Sequence, residues 1–127
     1  MSFGTTINSI ISGDSGIAAI VGSGVFHHNY PDNYDITKSL VVFTYKLNEG
    51  ISSLEENNIL EVYQLTVLCL SPETDTLDTL TTAVRACLDT YSSTTIRDVV
   101  FLGESITMDA LKERYMKSLE YRIIYEQ

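Results

Sequence analysis

The chain has 127 residues, 44% of them hydrophobic and 20% charged, a composition that excludes a disordered or collagen-like polymer and suits one globular core. Its acidic residues outnumber its basic ones 17 to 8, for a net charge of −9; with no basic cluster, this argues against a protein that grips nucleic acid by its phosphates. No run approaches the roughly 20 apolar residues of a membrane span, and the start MSFGTTINSI lacks the basic and apolar blocks of a signal peptide, so a cytoplasmic product with no membrane partner is expected.

In chain order, Ile7, Ile10 and Ile11 fall at helical spacing. Gly13 interrupts them, and Ser15 to Val21 resumes the helix with Asp14 as N-cap and Gly22 as stop. Two short helices, or one broken helix, are predicted. VFHH after Gly24 reads as a short strand, and the turn-rich HNYPDNYD follows it. Leu40 to Leu47 (LVVFTYKL) is a second strand with both faces partly covered, and Asn48 to Asn57 (NEGISSLEEN) reads as a flexible polar connection, a long hairpin arm.

The stretch from Asn58 to Tyr91 is the structural centre of the chain. Ile59 to Leu70 (ILEVYQLTVLCL) is rich in β-branched, aromatic and leucine side chains and predicts a central strand. After Ser71, read as an N-cap, and Pro72, placed in the first helical turn, an apolar stripe of Leu77, Leu80, Val84, Leu88 and Tyr91 predicts a helix lying on the sheet. Ser92 to Thr95 is a polar turn, Ile96 to Leu102 a shorter strand with Val100 and Leu102 on one face, and Met108 to Leu111 a helical turn. From Tyr115 to Tyr125 the pattern alternates, with Tyr115, Leu119, Tyr121, Ile123 and Tyr125 on one face and Ser118, Glu120, Arg122 and Glu126 on the other. The fold class is therefore α+β: an antiparallel or mixed sheet of about four to five strands packed by an amphipathic helix and N-terminal helices, with residues 1–127 in one domain. Its core candidates are Leu65, Val67, Leu77, Leu80, Val84, Leu88, Leu119, Tyr121 and Ile123.

No catalytic constellation stands out. Gly13-Asp14-Ser15-Gly16 resembles the surroundings of a serine nucleophile, but only a dozen residues precede it, too few to hold the histidine and aspartate that come first in such proteases, and helix capping explains it better. His27 and His28 are adjacent, so in a strand they point to opposite faces and cannot readily chelate one ion; a metal site would need one of them with Asp32 and Asp35. Gly22-Ser23-Gly24 follows a helix and has no lysine, so it reads as a cap and turn and not as a phosphate loop. Cys69 and Cys87 sit in apolar patterns and read as free thiols. Neither catalytic residues, nor metal ligands, nor a cofactor are expected, which favours an assembly subunit over an enzyme.

The order of elements resembles a known family. DSGIAAIVGSGVF (Asp14 to Phe26), Tyr30-Pro31, LVVFTY, the long strand running into Ser-Pro and the amphipathic helix (YQLTVLCLSPETDTLDTLTTAVRACLDTY), and the final LEYRIIYEQ are similar to the tail terminator or tail-completion proteins of long-tailed bacteriophages. The resemblance spans essentially the whole chain and implies a homo-oligomeric ring, usually of six subunits. Such a ring caps the head-proximal end of the tail tube, stops its growth and joins it to the head connector or stopper protein. The implied partners are the tube protein and the connector, with DNA crossing an acidic lumen without specific binding, and the implied location is the tail or neck of a virion made in the bacterial cytoplasm.

Contact surfaces are expected at Tyr30, Asp32, Tyr34 and Asp35 in the Asn29 to Ser39 loop, at Asn48, Glu49, Ile51, Leu54, Glu55 and Glu56 in the arm, and at Arg122, Tyr125 and Glu126 in the last strand. The alternatives are another neck or head–tail connector ring protein, a small metal-dependent hydrolase using a histidine with Asp32 and Asp35, or a ligand-binding domain with a pocket between the Thr76 to Tyr91 helix and the sheet.

Overall fold

The computed structural model describes residues 2–28, 37–52, 59–109 and 114–126. In these residues three helices and five strands follow one another as α1 (Phe3–Ser12), α2 (Ser15–Val21), β1 (Val25–His27), β2 (Leu40–Ser52), β3 (Ile59–Ser71), α3 (Thr74–Leu88), β4 (Ile96–Asp109) and β5 (Arg114–Glu126). The strands form one mixed sheet in the order β1-β2-β3-β5-β4, with β1 parallel to β2 and every other pair antiparallel. This is the α+β architecture that the hydrophobic pattern predicts, with β3 in the centre.

Local chemistry sets the helix boundaries. Ser2 caps α1 by accepting the Thr5 N–H at 3.2 Å, and Phe3, Ile7 and Ile11, one helical repeat apart, are buried. Gly13 ends the helix with its N–H on the Ser9 carbonyl, so close that a Cβ there would lie 2.7 Å from that oxygen. Asp14 then caps α2 by accepting the Ile17 N–H at 3.0 Å, and Gly22, at φ 60°, stops it. The Gly13 to Gly16 and Gly22 to Gly24 motifs are thus helix punctuation.

Four boundaries differ from the sequence expectation. The N-cap of α3 is Glu73, not Ser71, and Pro72 precedes the helix; Ser71 is instead the buried last residue of β3, and it accepts the Glu73 N–H at 3.2 Å and the Ser39 hydroxyl at 3.0 Å. Its C-terminus is Leu88, with Tyr91 beyond it. The first half of the presumed flexible connection is strand: after a bulge at Leu47/Glu49, β2 continues to Ser52, with Glu49, Gly50 and Ile51 opposite Val62, Glu61 and Leu60. Residues 53–58 lie outside the described structure.

The fourth difference is β4, which runs on to Asp109, so that Met108 is strand and not helical turn. Leu111 lies outside the described residues. Bulges at Ile96/Asp98 and Phe101/Gly103 shift its alternation, so Val99 and Phe101 pack on the core, whereas Val100 lies opposite Arg122 on the other face.

All three helices cover one face of the sheet. There Phe3, Ile7, Ile11 and Ile17 meet Leu77, Leu80, Val84 and Leu88 from α3 and the inward residues of β2, β3 and β5. Leu65, Val67, Leu77, Leu80, Val84, Leu119, Tyr121 and Ile123 are 0% exposed and Leu88 is 1% exposed. Each such side chain contributes about 1.5–3 kcal/mol by leaving water. The opposite face carries a smaller cluster at one end, Leu40, Val42 and Leu70 with Phe26, Leu68 and Met116, and a fully buried Arg114 at the start of β5. Beside it runs a polar band in which Glu120 accepts from Thr66 (2.8 Å), Gln64 (3.4 Å) and Ser118 (3.4 Å).

Candidate functional site at the sheet edges

The sheet ends in two edges of unequal character. β1 is three residues long and pairs with Val41, Val42 and Phe43, and among the described residues no strand pairs with β2 on that side from Thr44 onward. At the other edge, the fourteen residues of β4 pair, among the described residues, with β5 alone. Open strands expose a row of unpaired N–H and C=O groups, and proteins ordinarily blunt or cover them. Here the exposed large hydrophobic residues among those described are Leu47 (51%), Leu102 (54%) and Ile106 (61%), the first on β2 beyond β1 and the other two on β4. Leu47 and Leu102 read in the sequence only as strand residues, and Ile106 sits in the polar run ESIT after the Phe101/Gly103 bulge, which hides it from period-2 reading.

The predicted contact residues scatter over this frame. Asn48 is exposed on the open part of β2, and Glu49 and Ile51 continue that strand. Tyr30, Asp32, Tyr34 and Asp35, and Leu54, Glu55 and Glu56, lie outside the described residues. Arg122 is exposed on the helix-free face, level with Gln64 and Val100. Glu126 ties to Arg97 at 2.9 Å. Tyr125 points inward, 3% exposed, its ring edge-on to Phe3 at 5.4 Å, so it serves packing in this subunit; the alternation that put it on the core face decides over its place near the chain end.

The histidines do not behave as simple strand neighbours. His28 lies past the end of β1 at φ 68°, which turns its ring back over His27, and the two stack at 3.8 Å. His27 in turn stacks against Phe43 at 4.9 Å and Tyr45 at 5.0 Å. Desolvation by these rings, and secondly the neighbouring His28, holds the His27 pKa below its ordinary value. Face-to-face rings do not converge their nitrogens on one ion, and among the described residues no group of three or more His, Cys, Asp or Glu could hold a metal. Asp32 and Asp35, the other half of the proposed hydrolase site, lie outside those residues.

Both cysteines are free thiols. Burial pushes Cys69 up to about 12 and Cys87 up to about 11, so neither is an activated nucleophile. The seam between α3 and the sheet is filled by Leu77, Leu80, Val84 and Leu88, leaving no room for the pocket considered there. A groove of ≈ 660 Å³ opens elsewhere, between α1 and the turn before β4, lined by Thr6, Ser9, Ile10, Tyr91, Thr95 and Tyr125 among others.

The geometry is that of a small scaffold with open strands and a paired hairpin arm. No protein-family model matches the chain, and no curated protein sequence matches it. Among solved structures, a chain from the virion of a native gene transfer agent (GTA) particle superposes with a TM-score of 0.69, covering 94% of this chain and 90% of that one. The fold is shared with a virion component. At 17% identity the likeness concerns the fold, and it runs over nearly the full length of both chains.

Proposed function

We propose that this protein is a structural component of a phage-like virion, and specifically a tail terminator. It forms a ring, of six subunits in the reading adopted here, that caps the head-proximal end of the tail tube, stops tube growth and joins the tail to the head connector or stopper protein. The observation that carries this reading is the near full-length fold likeness to a chain of the gene transfer agent virion. The open edges, the extended β2–β3 hairpin and the sequence resemblance to tail-completion proteins support it.

The mechanism is shape and charge complementarity, with no chemical step. A subunit of net charge −9 gives a ring whose lumen repels phosphate, so DNA passes without being trapped. The arm from Asn48, the Asn29 to Ser39 loop, and Arg122 and Glu126 on β5 supply contacts to neighbours. Light scattering of the purified protein, alone and with assembled tail tubes, tests the reading. A closed oligomer that binds tube ends is expected, and a monomer indifferent to tubes would refute it.

A further inference from the structure

We propose that copies of this chain join edge to edge, the open β4 of one subunit adding to the open stretch of β2, from Thr44 onward, of the next. The inference rests on the ring reading and specifies its contact.

Three observations converge on it. First, the two open strands are at opposite edges of the same sheet, and Leu47, Leu102 and Ile106, the exposed large hydrophobics among the described residues, all sit on them. Leu47 lies opposite Tyr63 of the helix-side core, and Ile106 lies opposite Lys117, which reaches Asp78 of α3 at 2.7 Å. Both therefore face the helix-covered side, so a continued sheet brings apolar groups together on one face. Second, β2 is antiparallel to β3, β3 to β5 and β5 to β4, so β4 runs antiparallel to β2. A head-to-tail repeat that keeps the strand direction thus continues the antiparallel ladder. Third, charge does not oppose the pairing: Lys46 and Glu49 balance on the open stretch of β2, and β4 carries Arg97 with Asp98, Glu104 and Asp109.

The same residues disfavour a two-fold pairing of β4 with itself. Setting Leu102 of one copy against Ile106 of the other puts Glu104 directly opposite Glu104, and like charges so placed are destabilising. A two-fold contact would also leave β2 open, whereas a head-to-tail contact uses both edges of every subunit and closes when the rotation between copies divides a full turn.

Two variants of the full chain test this, each blocked at one edge with the same charge sign: Leu102→Asp/Ile106→Asp on β4, and Leu47→Asp on β2. With wild-type rings as reference, each variant alone should assemble at least roughly tenfold more weakly. Their equimolar mixture should give a species of twice the 14.2 kDa chain mass, because one intact β4 edge then meets one intact β2 edge. Serine replacements at the same positions serve if an aspartate variant fails to fold by circular dichroism. Variants that still form rings would overturn the edge contact and leave the ring reading standing, as would a β2 variant that dimerises by itself. A wild-type chain that stays monomeric with tail tubes present would remove the ring reading and this contact with it.

Discussion

Tyr121 and Asp89 show how single side chains lock the elements together. The Tyr121 hydroxyl donates to Asp89 at 2.8 Å, and Arg85 grips the same carboxylate at 2.8 Å while its guanidinium lies 3.7 Å above the Phe101 ring. One cluster thereby joins the end of α3 to β5 and β4. Burial first, and Asp89 second, hold the Tyr121 hydroxyl well above its ordinary pKa, so it stays a donor. Tyr121→Phe removes a hydrogen bond to a charged acceptor and should cost about 1–2 kcal/mol, read as a lower urea midpoint at unchanged slope.

His27 gives a second residue-scale prediction. Its folded pKa is below the ordinary imidazole value of 6.5, so above 6.5 both folded and unfolded chains are neutral there and the full contribution to stability is present. As pH falls through 6.5 the unfolded chain takes up the proton first, and stability is lost until pH passes below the folded value. The urea midpoint should therefore drop between about pH 7.5 and 5.5, and His27→Gln should flatten that dependence; equal slopes in both proteins would contradict the ring-stack account.

At the scale of elements, α3 is the part on which the fold depends. Leu80 is 0% exposed between α3 and the sheet, and Leu80→Ala should destabilise by about 2–5 kcal/mol, measured by equilibrium unfolding. This helix and β5 were legible in the sequence because each keeps a single period, 3.6 or 2, over its length. β4 was legible only as far as Leu102, because two bulges and Gly103 break its alternation and hide its continuation to Asp109. The extension of β2 was hidden for another reason: NEGIS has weak strand propensity, and its ladder with β3 is a tertiary pairing that no local pattern encodes. Ser71-Pro72 resembled a helix start, but the pairing with Tyr115 and the Ser39 and Glu73 contacts commit Ser71 to the end of β3. Likewise the His27–His28 stack depends on one backbone angle at His28, which neighbouring residue types do not specify.

The whole molecule places its stability and its contacts in different parts. The helix-covered face is committed to folding, and among the described residues the exposed large apolar groups fall on the two open edges. The proposed assembly role rests in the sequence on the order of elements, whereas the edges proposed to carry it emerge only once the strands are paired. On the proposed reading the subunit acts by repetition, so its assembly state is the property to measure. The decisive measurement is light scattering with electron microscopy of the purified chain mixed with tail tubes that lack a terminator. The account predicts a closed ring whose mass is a whole multiple of 14.2 kDa, seated at one end of each tube and preventing further growth. A protein that remains a monomer, with tubes elongating as if it were absent, would contradict it.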